Sequence, residues 1–195
     1  MALVTLVSGG FDSTVMSLMA HDEGLEIHPL FIDYGQRSAE REWAACQLQH
    51  LSHQLPPPHK MDVAGFGRSV PSGLTNSTMR VNEDAFLPCR NLFFIVLGAA
   101  YACRVNAEAV AIGLLNPEFH LFPDQTREFI DKAEACVRSA VAIELRILVP
   151  LASFSKTDVL QEARRRGVEG TYSCHAGGLT PCGRCIACIE IDNTQ

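Results

Sequence analysis

The sequence predicts an α/β protein built as a doubly wound parallel sheet with helices on both faces. Three observations carry that reading. Short apolar, β-branched runs alternate with helix-period stretches along the chain. The first run, Leu3-Val4-Thr5-Leu6-Val7, passes directly into a glycine pair and then into a helical pattern. Later apolar runs also end in polar or glycine residues, at Asp33-Tyr34 and at Gly113-Leu114. In open parallel sheets, ligands bind beyond the carboxyl ends of the strands, where the strand order reverses. Val7-Ser8, Asp33-Tyr34 and Gly113-Leu114 are therefore expected to converge on one pocket.

The elements follow in order. After the first strand, a helix begins near Ser13 and carries Val15, Met16, Leu18 and Met19 on one side. Residues 26–33 read as a second strand, and 40–55 as an amphipathic helix ended by Pro56, Pro57 and Pro58. Residues 59–63 form a short third strand. The stretch 65–83, rich in Gly, Ser, Pro, Asn and Thr, reads as a long mobile loop of the kind that serves as a lid or binding loop. A buried helix spans 91–104 and a buried strand 109–113. Residues 124–141 contain a further helix, and 145–149 a strand closed by Pro150. Residues 156–166 form an amphipathic helix capped by Ser155. A cysteine-rich segment comes last. Two parts are expected, 1–170 as the main domain and 171–195 as a metal-binding segment packed on it.

The 195 residues suit one domain with a real core, and 47% hydrophobic against 19% charged residues marks a folded chain rather than a disordered one. A net charge of -6 argues against broad nucleic-acid binding and leaves room only for a local basic pocket. No uninterrupted apolar run reaches the roughly 18 residues of a membrane span. The first residues lack the basic region and small-residue cleavage site of a signal peptide. The expected compartment is the cytoplasm, where thiols stay reduced. Eight cysteines there point to metal binding rather than to disulfides.

The chemistry starts at Ser8-Gly9-Gly10-Phe11-Asp12-Ser13-Thr14. Two glycines let the backbone approach a ligand with no Cβ in the way. The amides that follow sit at a helix N-terminus, where unpaired N–H groups and the macrodipole favour an anion. Ser8, Ser13 and Thr14 add hydroxyls. The loop suits phosphate or pyrophosphate, although a bare glycine pair between strand and helix is also a common structural turn. It is neither a Walker A loop, which needs Gly-Lys-Ser/Thr, nor the Gly-x-Gly-x-x-Gly dinucleotide fingerprint.

The second constellation is Cys174 with Cys182, Cys185 and Cys188, the last three spaced Cys-x-x-Cys-x-x-Cys. Four thiolates so close suit a closed tetrahedral Zn²⁺ site, structural rather than catalytic. A redox pair or an iron–sulfur cluster are the other readings of this spacing. Cys46, Cys89, Cys103 and Cys136 are scattered and read as small apolar residues.

The string Ser8-Gly9-Gly10-Phe11-Asp12-Ser13 resembles the Ser-Gly-Gly-x-Asp-Ser PP-loop of the N-type ATP pyrophosphatases. Those enzymes cleave ATP to AMP and pyrophosphate and adenylate a carboxylate or carbonyl oxygen. Together with the cysteine spacing, the chain resembles the QueC family of 7-cyano-7-deazaguanine synthases. Asp33-Tyr34-Gly35-Gln36-Arg37, Ser72-Gly73-Leu74-Thr75, Leu87-Pro88-Cys89-Arg90-Asn91 and Pro123-Asp124 with Glu128-Phe129 are similar to that family's internal motifs.

The resemblance implies conversion of 7-carboxy-7-deazaguanine and ammonia to the nitrile, with two ATP used and Mg²⁺ accompanying them. It implies an ATP site of Val7, Ser8, Gly9, Gly10, Phe11, Asp12, Ser13, Thr14 and Val15 with Asp33, Gln36 and Arg37. It implies catalytic roles for Asp12, Ser13, Arg90 and Lys156, and a substrate site of Arg90, Asn91, Glu118, Phe119, Phe122 and Asp124. It also implies a homodimer. The departures are Ser38, where the family carries histidine, and Glu118 to Thr126, where a Ser-Gly pair and an arginine are absent. They motivate a second reading, in which the adenylated carboxylate stops at the amide or is joined to an amine on a protein, as in QueC-like anti-phage systems. A nonenzymatic nucleotide-binding module is the third.

Overall fold

The structure is a computed structural model that describes residues 1–116, 121–141 and 143–194. Five strands form one sheet: β1 (Ala2–Val7), β2 (Glu26–Asp33), β3 (His59–Asp62), β4 (Ala109–Ala111) and β5 (Arg146–Leu148). Their order is β3-β2-β1-β4-β5, and every pairing is parallel. Successive strands run outward from β1 to β3, and the chain then returns to the other side of β1. The reversal therefore lies between β1 and β4, with Leu3 opposite Ala109 and Thr5 opposite Ala111. The doubly wound parallel reading of the sequence matches this arrangement.

Alternation along β1 explains the two layers. Val4 and Leu6 face one side, where they join Leu30, Ile32, Val110 and Ile147 beneath α4 (Arg90–Val105) and α5 (Arg127–Ala140). Those helices contribute Ile95, Ala99 and Ala102, and Ile130, Ala133 and Val137. Leu3 faces the other side with Ala109 and Ala111, under Val15, Met16 and Leu18 of α1 (Phe11–Asp22) and Val159 and Ala163 of α6 (Lys156–Arg165). Val7 and Phe31 continue that face under Trp43 and Cys46 of α2 (Ala39–Ser52). Each fully buried Leu, Ile or Val adds about 1.5–3 kcal/mol of hydrophobic stabilisation before entropy is counted.

The helix starts are set locally. The Thr126 hydroxyl accepts from Phe129 N–H at the head of α5. Ser155 and Asp158 form a reciprocal cap on α6, with Asp158 N–H donating to the Ser155 hydroxyl at 3.1 Å and Ser155 N–H to the Asp158 carboxylate at 2.8 Å. Helix α1 begins at Phe11, two residues before the expected Ser13, because Gly10 is the N-cap.

The stretch 65–83 departs from its reading as a long loop. It opens with a short helix, α3 (Gly65–Ser69), and its turns are closed by Asn76 N–H to Ser72 C=O at 2.8 Å and Gly73 N–H to Asp84 C=O at 2.6 Å. Local backbone bonds, invisible in composition, satisfy the segment internally. Leu74, Val81, Ala85 and Leu87 are buried. The cysteine-rich segment holds another helix that its composition did not announce, α7 (Ile186–Asp192).

Candidate active site

The loop after β1 is held in shape before any ligand arrives. Gly9 adopts φ +79, and a Cβ there would stand 2.5 Å from both the Cys46 backbone nitrogen and the Glu42 carbonyl oxygen. Only glycine meets both conditions, so the loop presses directly on α2. Ser8 N–H donates to the Ser13 hydroxyl at 3.1 Å, and the two hydroxyls lie 3.2 Å apart. The first helical bond runs from Thr14 N–H to Gly10 C=O, which the Thr14 hydroxyl also reaches at 2.8 Å. The N–H groups at the start of α1 are thus left for an anion.

Two cations stand where helix physics disfavours them. Arg90 and Lys156 are the first residues of α4 and α6. The positive end of a helix repels a cation, so local preference does not explain either one. Lys156 is 8% exposed, and its Nζ lies 2.9 Å from both carboxylate oxygens of Asp12. Arg90 lies 5.9 Å from the centre of the Phe94 ring. Breaches of a local rule that converge on one cleft mark a functional site.

The cleft has two adjoining hollows at the carboxyl ends of the strands. The inner one has an apolar wall of Leu6, Val7, Phe31, Ile32, Tyr34, Gly113 and Leu114, formed where β1, β2 and β4 end, and a polar wall that includes Ser13, Gln36 and Asn91. The outer one is walled by Gly10, Lys156, Tyr172, Ser173, Leu121, Phe122, Ile186 and Glu190. Six residues belong to both walls: Ser8, Asp12, Glu42, Arg90, Gln125 and His175. They form the junction between the hollows.

Several junction groups are shaped by burial. Burial raises the Glu42 carboxyl above the usual range, although Gln36 Nε2 donates to it at 2.9 Å and the Ser38 hydroxyl at 2.7 Å. Burial pushes the Tyr34 hydroxyl up to about 12 against the pull of Arg90. Burial, with Arg90 and Lys156 adding to it, pulls His175 down to about 4 and keeps the ring neutral at physiological pH. Its Nδ1 is buried without a hydrogen-bond partner among the described residues. Burial also raises Glu190, whose neighbours Lys156 and Asp12 act in opposite directions.

The sequence-derived residues fall into groups. Val7, Ser8, Gly10, Asp12, Ser13, Gln36, Arg90, Asn91, Phe122 and Lys156 line the cleft. Gly9 and Thr14 shape the loop, and Val15 and Phe11 pack in the α1–α6 layer. Asp33 pairs with Lys60 at 2.9 Å and accepts from Gly35 N–H. Arg37 donates to the Gly73 carbonyl at 3.2 Å, tying the strand end to the 72–85 segment. Asp124 accepts from Asn91 N–H at 3.2 Å, which places its carboxylate at the head of α4. Glu118 and Phe119 lie outside the described residues. Glu42, Gln125, Tyr172, His175 and Glu190 were not singled out from sequence. Glu42 sits in the first turn of a helix that follows a strand, so the strand-end rule extended by one turn would have found it.

The four cysteines come together as their spacing implied. The sulfurs of Cys174, Cys182, Cys185 and Cys188 all lie within 4.8 Å of one another, and all four thiols are free. Four thiolates about 2.3 Å from a single tetrahedral ion would sit about 3.8 Å apart, so this cluster can hold a metal such as zinc. An iron–sulfur cube spreads its ligands more widely. Gly183, at φ +66, makes the tight turn between Cys182 and Cys185. Val81 of the 72–85 segment packs on the cluster, and Tyr172 N–H donates to the Gly9 carbonyl at 3.0 Å. The cluster also anchors α7, whose Ile186, Ala187 and Glu190 wall the outer hollow.

The fold and the loop define a PP-loop α/β protein of the adenine-nucleotide-binding type. Solved structures agree on the fold: a predicted tRNA methyltransferase subunit from Methanocaldococcus jannaschii superposes with a TM-score of 0.59 at 14% identity, covering 84% of this chain and 74% of that one. A 4-thiouridine synthetase solved with RNA and ATP gives 0.53 at 20% identity, covering 99% of this chain and 49% of that one. A model of the family described as queuosine biosynthesis protein QueC matches residues 2–193. The chain belongs to the QueC family. The 7-cyano-7-deazaguanine synthase of Methanothermobacter thermautotrophicus is 31% identical over 205 residues, covering 97% of this chain and 92% of that protein. Among the described residues, no helix is long and apolar enough to cross a membrane.

Proposed function

We propose that this chain makes 7-cyano-7-deazaguanine from 7-carboxy-7-deazaguanine, ammonia and two molecules of ATP. One observation carries the reading within the family. A slot with one apolar wall at the strand ends and a polar outer hollow meet at a junction that carries Asp12, Arg90 and Ser8 of the PP-loop. In this reading the slot takes the adenine, the loop amides take the phosphates, and the outer hollow takes the flat heterocycle beside Phe122. The reacting oxygen and the α-phosphorus meet at the junction.

The chemistry balances as follows. A carboxylate oxygen attacks the α-phosphorus and the bond to pyrophosphate breaks. Ammonia attacks the acyl carbon, AMP leaves with that oxygen, and the nitrogen loses a proton to give the amide. The amide oxygen then attacks a second ATP, again releasing pyrophosphate. AMP departs with this oxygen, the nitrogen gives up its remaining protons, and the nitrile forms. Arg90 and Lys156 counter phosphate charge as it shifts to the leaving group. Lys156 must exchange Asp12 for phosphate. Asp12 is then free for Mg²⁺, which screens the phosphates when bound with ATP. Neutral His175 and the walls from α7 keep water from the acyl adenylate. Zn²⁺ on Cys174, Cys182, Cys185 and Cys188 supplies folding free energy to residues 171–195 and so fixes that wall.

A second reading keeps the adenylation and changes the nucleophile. The outer hollow is lined by exposed Leu121 and by Phe122, whose ring lies tilted against exposed Phe86 at 5.1 Å, an apolar mouth suited to a larger amine or a protein acceptor.

The test is mass spectrometry of products from purified protein with Mg²⁺-ATP, ammonium and 7-carboxy-7-deazaguanine labelled with ¹⁸O in the carboxylate. Nitrile with one labelled oxygen in each AMP is the expected result. Amide alone, or adenylate that awaits an added amine, favours the second reading. Absence of AMP overturns both.

A further inference from the structure

Gln125 is the junction residue whose orientation the backbone dictates. It is the last residue of the short 3₁₀ turn Pro123–Gln125. Its Oε1 accepts from Leu121 N–H at 2.7 Å and from Phe122 N–H at 2.8 Å. Two main-chain donors aimed at one atom require that atom to be oxygen, which settles the assignment that amide side chains otherwise leave open. Rotating the amide by half a turn would set an NH₂ group against two N–H groups. The Nε2 therefore remains the group turned away from the turn. It has no acceptor among the described residues, while Gln125 lines both hollows. A side chain that nominally offers both a donor and an acceptor is restricted here to donating.

We propose that Gln125 is a specificity-determining residue that reads a carboxylate oxygen on the acceptor substrate and discriminates against the carboxamide. The inference rests on the function proposed above and deepens it. A carboxylate presents an acceptor at both positions. One oxygen attacks the α-phosphorus, and the other accepts from Gln125 Nε2. A carboxamide has a single oxygen, which must attack, and its NH₂ then faces Gln125 donor against donor. The locked amide assists the first activation and opposes the second. A site built to pair one polar group rejects the analogue that lacks it more strongly than an apolar pocket rejects a size change.

The test is Gln125→Glu. The carboxylate keeps an oxygen for Leu121 N–H and Phe122 N–H, so the turn is preserved, and it offers an acceptor where the amide offered a donor. AMP formation is measured against 7-carboxy-7-deazaguanine and against the 7-carboxamide separately, with KM and kcat resolved, and binding of each is followed by calorimetry. For the wild type, the carboxamide KM is expected about tenfold or more above that of the carboxylate. In the variant the carboxylate KM rises about tenfold or more while the carboxamide KM holds or falls, so the preference narrows or inverts. An equal change for both substrates, or none, overturns the proposal, because a merely structural residue moves both alike. If the variant does not fold, the wild-type binding ratio decides, and equal affinity for the two substrates overturns it. If the wild type forms AMP with neither compound, the proposed function itself falls and this inference with it. An active wild type whose variant keeps the wild-type preference removes only the role of Gln125.

Discussion

The Asp12–Lys156 pair allows stability and chemistry to be separated in one experiment. Lys156 Nζ lies 2.9 Å from both oxygens of Asp12, and the two side chains are 8% and 32% exposed. At an effective dielectric of about 20, unit charges at that separation attract by about 5 kcal/mol. Asp12 is close to a third exposed, so solvent screening and desolvation remove more than half of this, leaving a coupling of about 2 kcal/mol. Asp12→Asn, Lys156→Met and the double variant close a cycle. The loss of Asp12 should cost more than the loss of Lys156, because it leaves a buried ammonium without a partner while Asp12 keeps access to water. For a chain of this size, about 2 kcal/mol is a shift in Tm of roughly 4–8 °C. The double variant should regain stability relative to Asp12→Asn, yet all three should lose AMP formation by about a hundredfold or more, since the proposed function sets both groups at the phosphates. The readouts are urea unfolding and AMP release on the same four proteins. Additivity within about 0.5 kcal/mol, or AMP formation by the double variant near the wild-type rate, would refute the reasoning.

Further outcomes follow from the same geometry. Gly9→Ala places a Cβ 2.5 Å from two backbone atoms of α2 at φ +79, and should cost about 2 kcal/mol or more in thermal unfolding. Metal analysis should find one zinc per chain, and chelation should lower Tm and speed hydrogen exchange in residues 172–192 before β1 is affected; a metal-free protein with unchanged exchange would contradict the anchoring of α7. Burial raises the Glu42 carboxyl above its ordinary value of 4.5, with Arg90 and Asp33 as charged neighbours acting in opposite directions. The unfolded chain therefore releases that proton first as pH rises, so wild-type stability declines upward from about pH 4.5 until the folded carboxyl ionises. Glu42→Gln removes this slope, and its Tm relative to the wild type should climb across that interval; parallel pH profiles would exclude the assignment.

Much of this was legible in the sequence because it depends on near neighbours. Short apolar, β-branched runs marked five strands, and the helix start at Ser155 follows from a cap three residues away. The glycine pair and the hydroxyls of the PP-loop are contiguous, and the metal cluster lies within fifteen residues, Cys174 to Cys188. Spacing narrowed their chemistry, and the family resemblance chose among the readings it left. The stretch 65–83 is a loop beyond Ser69, as read, but its opening helix and its packing were missed because composition reports polarity, whereas the Gly73–Asp84 and Asn76–Ser72 bonds depend on backbone path.

What only the tertiary structure decided is which distant groups meet. Asp12 and Lys156 are 144 residues apart, and nothing periodic links them. Their pairing needs β1 to sit beside β4, which the crossover after β3 provides and no local preference encodes. The same reversal brings Glu42 from α2, Arg90 from α4 and Gln125 from the turn before α5 to one junction. The cysteine segment delivers His175 there as well. By itself the sequence determined most of the elements, the glycine–hydroxyl loop and the cysteine cluster, because each is a property of residues within a few turns of one another. The junction is a property of strand order, and strand order is settled by long-range burial of both sheet faces.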